Sequence, residues 1–487
     1  MKILSDILKS VKAIKVIGKA ELPITSIVFD SRKVNLGCLF VAVKGTQVDG
    51  HDYIQSAIEQ GAKGVVCEMI PDNHSKDVVY VQVENSSEAL GKLADAFYDY
   101  PSSQLKLVGV TGTNGKTTTV TLLYNLVRKL GYKVGLLSTV RNYIDDKKVE
   151  ATHTTPDAVQ MNQLMKQMVD YGCEYCFMEV SSHAIDQDRT AGLEFAGALF
   201  TNITHDHLDY HKTFAEYIKA KKKFFDQLTL KSFALINADD KNGRVMVQNT
   251  KARVNDYAVQ SAAEFKAKII ESHFEGSMLS IDNTDVWTYF VGKFNTYNLL
   301  AVYSCAVMLG FDRSEVLTAL SELKPVEGRF ETIRSQNGIT AIVDYAHTPD
   351  ALLNVLDAIN QIRKKDQELV TVVGAGGDRD TTKRPEMAKI ASVNSDKVVL
   401  TSDNPRSEDP NAIIEDMKEG VEPENKKKVL AIADRKEGIR TACLLAKSGD
   451  IVLVAGKGHE TYQEIKGVKH HFDDREVLQQ IFNELYN

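Results

Sequence analysis

Gly109-Val110-Thr111-Gly112-Thr113-Asn114-Gly115-Lys116-Thr117-Thr118 is the stretch on which the reading of this chain turns. It follows an apolar run, Leu105 to Val110, that reads as a buried strand. It precedes Thr117 to Leu130, where Val120, Leu123, Val127 and Leu130 recur at helical spacing before Gly131. A glycine-rich turn between strand and helix is the setting of a phosphate-binding loop. Glycines let backbone N–H groups converge on phosphate oxygens, the helix N-terminus favours negative charge, and Lys116 can reach the outer phosphates. Thr117 offers a hydroxyl to Mg²⁺. The usual spacing of such loops places a glycine at position 110, where this chain has Val110. The plainer reading is a glycine-rich helix cap, and Gly115-Lys116-Thr117 in this context weighs against it.

Outward from the loop the pattern repeats. Lys133 to Leu137, Tyr175 to Val180 and Ala198 to Thr201 read as strands separated by helical stretches, so a mainly parallel sheet covered on both faces is expected. Residues 264–292 have the turn-broken character of an antiparallel edge. Upstream, Cys38 to Val43 and Val78 to Val81 read as buried strands, and the turn Tyr100-Pro101-Ser102-Ser103 closes that unit. A third series begins near Arg334, with strands Ile339–Val343, Leu369–Val373, Lys397–Thr401 and Ile451–Val454. Each precedes a loop rich in Gly, Asp, Asn, Arg or His, and ligands of open α/β sheets bind beyond the carboxyl ends of strands. The expected fold class is α/β in three domains: a small N-terminal α/β domain over 1–101, a central P-loop-type domain over 102–332, and a Rossmann-like domain over 333–487.

The 487-residue length agrees with about three domains. With 43% hydrophobic and 26% charged residues, a disordered or low-complexity chain is excluded. Lys and Arg total 59 against 66 Asp and Glu, so bulk nucleic-acid binding, which needs a basic footprint, is not expected. The six cysteines are sparse and mostly sit in apolar runs, as reduced cytoplasmic thiols do. Cys173-x-x-Cys176 lies in or before a buried strand and reads as packing rather than a redox motif. Met1 to Asp6 carries an early acid and no long apolar run, so no signal peptide is expected. No run approaches the roughly 20 apolar residues of a membrane helix. A monomeric cytoplasmic enzyme without membrane insertion is the expectation.

The remaining motifs are weaker singly. Glu179 ends an apolar strand, where a carboxylate can face the phosphate loop and hold a hard cation. Asn202 to His211 contains three His and two Asp, which could read as a zinc site, but no Cys or Glu-x-x-His spacing supports zinc. Lys219, Lys221, Lys222 and Lys223 would ordinarily be a solvated helix face. Asn298 could satisfy an adenine edge, and Arg329 could neutralise a developing phosphoryl charge. Gly374 to Asp380, followed by Lys383-Arg384-Pro385, is not a Gly-x-Gly-x-x-Gly fingerprint, so a redox Rossmann reading carries little weight.

Thr111 to Thr118 resembles the nucleotide loop of the Mur ligases and their folylpolyglutamate synthase relatives, which are ATP-dependent amide-bond formers. That resemblance implies ATP contacts from Gly112, Thr113, Asn114, Gly115, Lys116, Thr117, Thr118, Asn298, Arg329 and Asp344, the last near the ribose. Asp206-His207-Leu208-Asp209 is similar to a family signature whose His is a magnesium ligand, here His207. Tyr217-x-x-Ala220-Lys221 resembles the segment whose lysine reacts with CO₂ to form a carbamate, here Lys221. Thr117, Glu179, His207 and carbamylated Lys221 are thus the implied Mg²⁺ ligands, and Lys116, Glu179, His207 and Lys221 the implied catalytic set.

The uridine-nucleotide segments of the family resemble Asp30-Ser31-Arg32 and Gly45 to Gly50. They imply uridine contacts from Phe29, Ser31, Thr46, Gln47 and Val48, while His153, Thr154, Thr155, Ser181, Gln187 and Arg189 fall in the segments for the dipeptide-sugar part of UDP-N-acetylmuramoyl-L-alanyl-D-glutamate. His153 stands where the family pattern has Asn. Arg379, Asp403, Asn404, Pro405, Arg406, Gly456 and Glu460 match the segments for the third substrate. Asp403-Asn404-Pro405-Arg406 resembles the form that selects meso-2,6-diaminopimelate; an Arg fork pairs bidentately with the distal carboxylate that L-lysine lacks. The resemblance implies peptidoglycan precursor synthesis, with ATP as co-substrate and an acyl phosphate as intermediate. The alternatives are an L-lysine-adding ligase, a folylpolyglutamate synthase, which would leave the N-terminal domain unexplained, and a non-catalytic ATP-binding switch.

Overall fold

The computed structural model describes residues 1–45, 48–150 and 154–486. Three large sheets follow one another along the chain, each built mainly from parallel strands. In the first, Ile27–Val28, Leu39–Val41, Gly64–Cys67 and Val79–Gln82 run parallel, and Lys15–Ile17 closes one edge antiparallel. The central sheet has 11 strands. Lys106–Thr111 lies in its middle, between Tyr175–Glu179 and Gly197–Phe200. The third sheet runs Glu331–Arg334, Thr340–Asp344, Ile451–Ala455, Leu369–Ala375, Lys397–Ser402, Val429–Ala431, with an antiparallel first pair.

Alternation along the central strands explains their double burial. Val108, Val110, Leu199 and Leu235 pack on one face with Val120, Leu123 and Val127 of the helix Lys116–Lys129. Leu107, Ala198, Phe200 and Ile236 pack on the other with Met161 and Phe224, from the helices Ala158–Tyr171 and Phe214–Asp226. Such strands read as continuous apolar runs because both faces are covered. The foreseen edge is an antiparallel meander of Phe265–His273, Gly276–Ile281 and Thr284–Thr288. A hairpin at the opposite edge, Asn142–Ile144 with Lys147–Val149, was not foreseen; strands of three residues carry almost no periodicity. Nor was the helix Lys293–Met308, which is apolar on nearly every face because it is buried in the core.

Cys173 and Cys176 are free and buried, and burial pushes the Cys173 thiol up to about 11. Both pack in the core beneath the central sheet.

The first and central units meet along the helix Ser86–Phe97. Gly91 permits this approach: a Cβ there would lie 2.5 Å from the Ala191 carbonyl. Asn85 donates to Asp188 at 3.0 Å. Nearby, Ser102 donates to the buried Asp95 at 3.3 Å and accepts the Glu194 N–H at 3.0 Å. Burial pushes the Asp95 carboxyl up to about 7; the Ser102 hydroxyl opposes the rise and Glu194 adds to it. Between the unfolded value of 3.8 and about 7 the folded chain therefore holds a proton that the unfolded chain has lost. Stability at this seam falls as pH rises through that window. Asp95→Asn should melt like wild type near pH 4 and above it near pH 8, a difference read by thermal denaturation across pH. A difference independent of pH would refute the buried, protonated carboxyl.

Candidate active site

The carboxyl ends of the central strands deliver the polar residues. After Thr111 the chain turns through Gly112 to Gly115 into the helix Lys116–Lys129. Gly115 has φ +85°, and a Cβ there would lie 2.5 Å from Asn298 Oδ1, so both conformation and space require glycine. Lys116 folds back to donate to the carbonyls of Gly112 and Thr113 at 2.9 and 2.8 Å. Thr117 Oγ1 donates to Glu179 Oε2 at 3.0 Å, and the Thr139 N–H donates to Glu179 Oε1 at 2.7 Å. Glu179 is the last residue of Tyr175–Glu179, next to the strand that feeds the loop.

Lys221, on the helix Phe214–Asp226, is not a solvated lysine. It is 1% exposed and donates to the Gly112 carbonyl at 2.9 Å, the acceptor that Lys116 also uses. Burial, then the neighbouring Lys116, drive its ammonium well below the ordinary lysine range, against the attraction of Asp206. Lys116 is lowered by burial as well, against Glu179 and Asp206. His207 takes a left-handed conformation, φ +55°, at the start of a short helical turn. Its imidazole is held well below the usual range by burial and by Lys116, His183 and Lys221. Asp206, 4% exposed, would be raised by burial, but His207, Lys383 and His347 hold its carboxyl low.

Lys116, Glu179, His207 and Lys221 line one cavity of about 500 Å³. Its walls also carry Gly112 to Thr117, Arg329, Thr154, Thr155, Ser181 and Arg189, together with Arg379, Asp403, Asn404, Arg406, Gly456 and Glu460. The motifs read separately from the sequence therefore converge from two sheets. Thr155 Oγ1 donates to the Glu179 carbonyl at 2.8 Å. Arg189 donates to the Thr155 carbonyl at 2.9 Å and forks onto Gln187 Oε1 at 3.0 and 2.6 Å. Across the cavity, Glu460 accepts from Asn404 at 2.8 Å and from the buried Lys457 at 3.1 Å. Arg329 stacks 4.5 Å over the Tyr345 ring, and its buried Nε has no partner among the described residues.

A second cavity of about 260 Å³ adjoins the loop at Asn114 and Gly115. Asn298 lines it, with Asn237, Asp239, Asp240, Lys293 and Tyr297. Asp344 lines neither cavity; it is buried and accepts the Phe330 N–H at 2.7 Å, and burial pushes it up to about 6 despite Arg329. Thr118 is buried two positions inside the helix, and Pro405 lies between residues that line the large cavity. Phe29 and Ser31 follow the strand Ile27–Val28 and Val48 follows Leu39–Val41, neighbours in the first sheet, so they stand apart from the cavity. Thr46, Gln47 and His153 lie outside the described residues.

Sequence reasoning missed the cross-links that close the site. Lys383, from the third sheet's unit, pairs with Asp206, and Asn114 donates to Asp350 at 2.9 Å. Lys383 and Asp206 stood inside quoted motifs, but a charge pair 177 residues apart has no local signature. The donor set suits a hard cation. Thr117 and Glu179 present oxygens toward the loop, and among the described residues no cluster of three His, Cys, Asp or Glu side chains forms a protein cage. That is the chemistry of Mg²⁺, which takes few carboxylates and completes its shell with water and phosphate.

Comparison with known proteins gives a consistent picture. Three descriptions match in order: "Mur ligase family, catalytic domain" over 23–98, "Mur ligase middle domain" over 110–306, and "Mur ligase, glutamate ligase domain" over 328–458. The chain is 58% identical over 481 residues to the UDP-N-acetylmuramoyl-L-alanyl-D-glutamate–2,6-diaminopimelate ligase of Bacteroides thetaiotaomicron, covering 99% of this chain and 100% of that one. The Cytophaga hutchinsonii protein of the same name is 58% identical over 483 residues, covering 99% of each. A solved structure bearing that name superposes with a TM-score of 0.70 at 30% identity, covering 99% of both chains. The MurF ligase of Thermotoga maritima, solved with ADP, shares the fold at 21% identity and a TM-score of 0.62, over 94% of this chain and 97% of that one.

Gly115→Ala should keep the fold and lose nucleoside triphosphate affinity by about tenfold or more, near 1.4 kcal/mol, measured by calorimetric titration. Unchanged affinity would mean that the loop does not cradle phosphate.

Proposed function

The chain belongs to the Mur ligase family, and from that premise we propose that it joins meso-2,6-diaminopimelate to the D-glutamyl residue of UDP-N-acetylmuramoyl-L-alanyl-D-glutamate at the expense of ATP. The observation that carries this reading is the single cavity in which the phosphate loop, Glu179, Arg189 and Arg406 all meet. We assign residues 1–101 to the uridine nucleotide, 102–332 to ATP and 333–487 to the amino acid. Phe29, Ser31 and Val48 would hold the distant uridine end, and Thr154, Thr155, Ser181 and Arg189 the dipeptide. With ATP and a soluble nucleotide sugar as substrates, the reaction belongs in the cytoplasm.

The side-chain carboxylate of the D-glutamyl residue attacks the γ-phosphorus of ATP. The bond to the bridging oxygen breaks, and ADP leaves with that electron pair. The diaminopimelate amine then adds to the acyl phosphate carbonyl, and the tetrahedral intermediate collapses to the amide, expelling phosphate and releasing the amine proton. Two anions must approach in the first step, so charge neutralisation dominates. Lys116 and Arg329, which both line the cavity, supply fixed cations on the path. Thr117, Glu179, His207 and carbamylated Lys221 would hold Mg²⁺. When bound, Mg²⁺ neutralises phosphate oxygens that the side chains alone leave unpaired.

Lys221 can become a carbamate because only a neutral amine attacks CO₂, and burial beside Lys116 favours the neutral form. The attack forms an N–C bond and releases one proton. It replaces a neutral amine beside Lys116 by an anion.

Phosphate release with ATP and the UDP-muramoyl dipeptide should require meso-diaminopimelate, and L-lysine should replace it poorly. Arg406→Ala should lose that preference by about a hundredfold, roughly 2.7 kcal/mol for a charge-assisted fork. Preference for L-lysine would overturn the choice of amino acid and keep the ligase. No release with either would overturn the reaction. Lys221→Ala should lose most turnover and regain part of it with added short-chain carboxylic acids, assayed with and without bicarbonate; undiminished activity would remove the carbamate.

A further inference from the structure

Beneath the loops assigned to the amino acid, Arg435 and Asp474 form an ion pair in which both side chains are 0% exposed. Arg435 opens the helix Arg435–Leu445 and Asp474 opens the helix Asp474–Tyr486. Nε and Nη2 of Arg435 donate to the two carboxylate oxygens at 2.8 and 2.7 Å. The guanidinium also reaches two backbone carbonyls, Ser402 from Nη1 at 3.3 Å and Ala455 from Nη2 at 3.1 Å.

Those carbonyls are unusual partners. Ser402 ends the strand Lys397–Ser402, and Ala455 ends Ile451–Ala455. The strand Leu369–Ala375 lies between them in the sheet, so no ladder hydrogen bond joins the two ends directly. The residues that follow Ser402 are Asp403 to Arg406; those that follow Ala455 are Gly456 to Glu460. One rigid planar fork therefore ties together the roots of both loops. Stability alone does not account for it, because a buried ion pair is often replaceable by apolar residues without loss. Three acceptor groups reached from three nitrogens of one guanidinium explain why an arginine is needed rather than a lysine.

Building on the amino-acid specificity proposed above, we infer that Arg435, clamped by Asp474, is a positioning residue for diaminopimelate. It fixes the separation of the loop bearing Arg406 from the loop bearing Glu460. It touches no substrate. Burial works against its charge, but Asp474, and after it Asp403 and Glu460, more than offset that and raise its proton affinity.

Two variants separate positioning from mere support. Arg435→Lys keeps a cation beside Asp474 but cannot hold the carboxylate and both carbonyls together. Arg435→Met with Asp474→Leu removes both charges and leaves none buried alone. Both should raise KM for meso-diaminopimelate about tenfold or more, while KM for ATP and for the UDP-muramoyl dipeptide stays within about twofold. Wild-type KM for diaminopimelate in either folded variant would overturn the inference. So would a loss shared equally by all three substrates, or failure of both variants to fold, since each would make the pair structural. A wild-type chain that does not consume diaminopimelate would instead bring down the proposed function itself.

Discussion

Lys116 and Lys221 both donate to the carbonyl of Gly112, each at 2.9 Å, and the rest of the site is arranged around that crowding. Two ammonium groups on one neutral acceptor would repel each other strongly where water is scarce, which with burial drives Lys221 toward its neutral form. Glu179 and Asp206 supply nearby negative charge, which draws Lys116 partway back toward its charged form. The remaining demand is for anions from outside. Phosphates and a substrate carboxylate would meet it, and so would a carbamate on Lys221 from within. An acidic chain of net charge -7 thus builds a local field of the opposite sign.

Parallel β-sheet makes the convergence possible. Every strand that carries a site residue presents its carboxyl end, where the backbone leaves the ladder and side chains are free to point into a crevice. The central sheet brings Thr111, Glu179 and Phe200 to one edge. The third sheet brings Ala375, Ser402 and Ala455 to another. Lys383 with Asp206, and Asn114 with Asp350, hold the edges facing each other. A cavity walled from both sheets would limit the access of water to an activated carboxyl group while the amine arrives.

What was legible in the sequence was local. The phosphate loop, the strands flanking it and the edge meander are written within a few residues of each other, by glycine, period and apolar run. Glu179 could be singled out because it ends an apolar strand, and Arg406 and Glu460 through the resemblance of the loops that carry them. Residues whose role is set by a distant partner were not legible. Arg435 looks like one more helical arginine until Asp474 is beside it, and Asp350 like one more first-turn acid until it meets Asn114. Lys293–Met308 escaped for the opposite reason: a helix buried on all sides has no polar face to betray its period. Asp344, which the resemblance implies lies near the ribose, is turned toward the Phe330 N–H.

Choice between amino acids follows from what would be left unpaired. Arg406 sits in a left-handed conformation, φ +51°, which a non-glycine residue holds only under constraint. The constraint is visible: its N–H donates to the Glu464 carbonyl at 3.0 Å, and the Lys466 N–H donates to its own carbonyl at 2.6 Å. Its guanidinium is braced by the Gly377 carbonyl at 2.5 Å, with Glu464 more distant at 3.9 Å. A partner with a distal carboxylate would complete that fork. A partner ending in an ammonium alone would face a cation instead, and Glu460, already shared by Lys457 and Asn404, would have to satisfy it unaided. Discrimination of this kind arises more from the penalty on the wrong ligand than from the gain on the right one, since a buried polar group left without its partner costs more than the bond is worth when made.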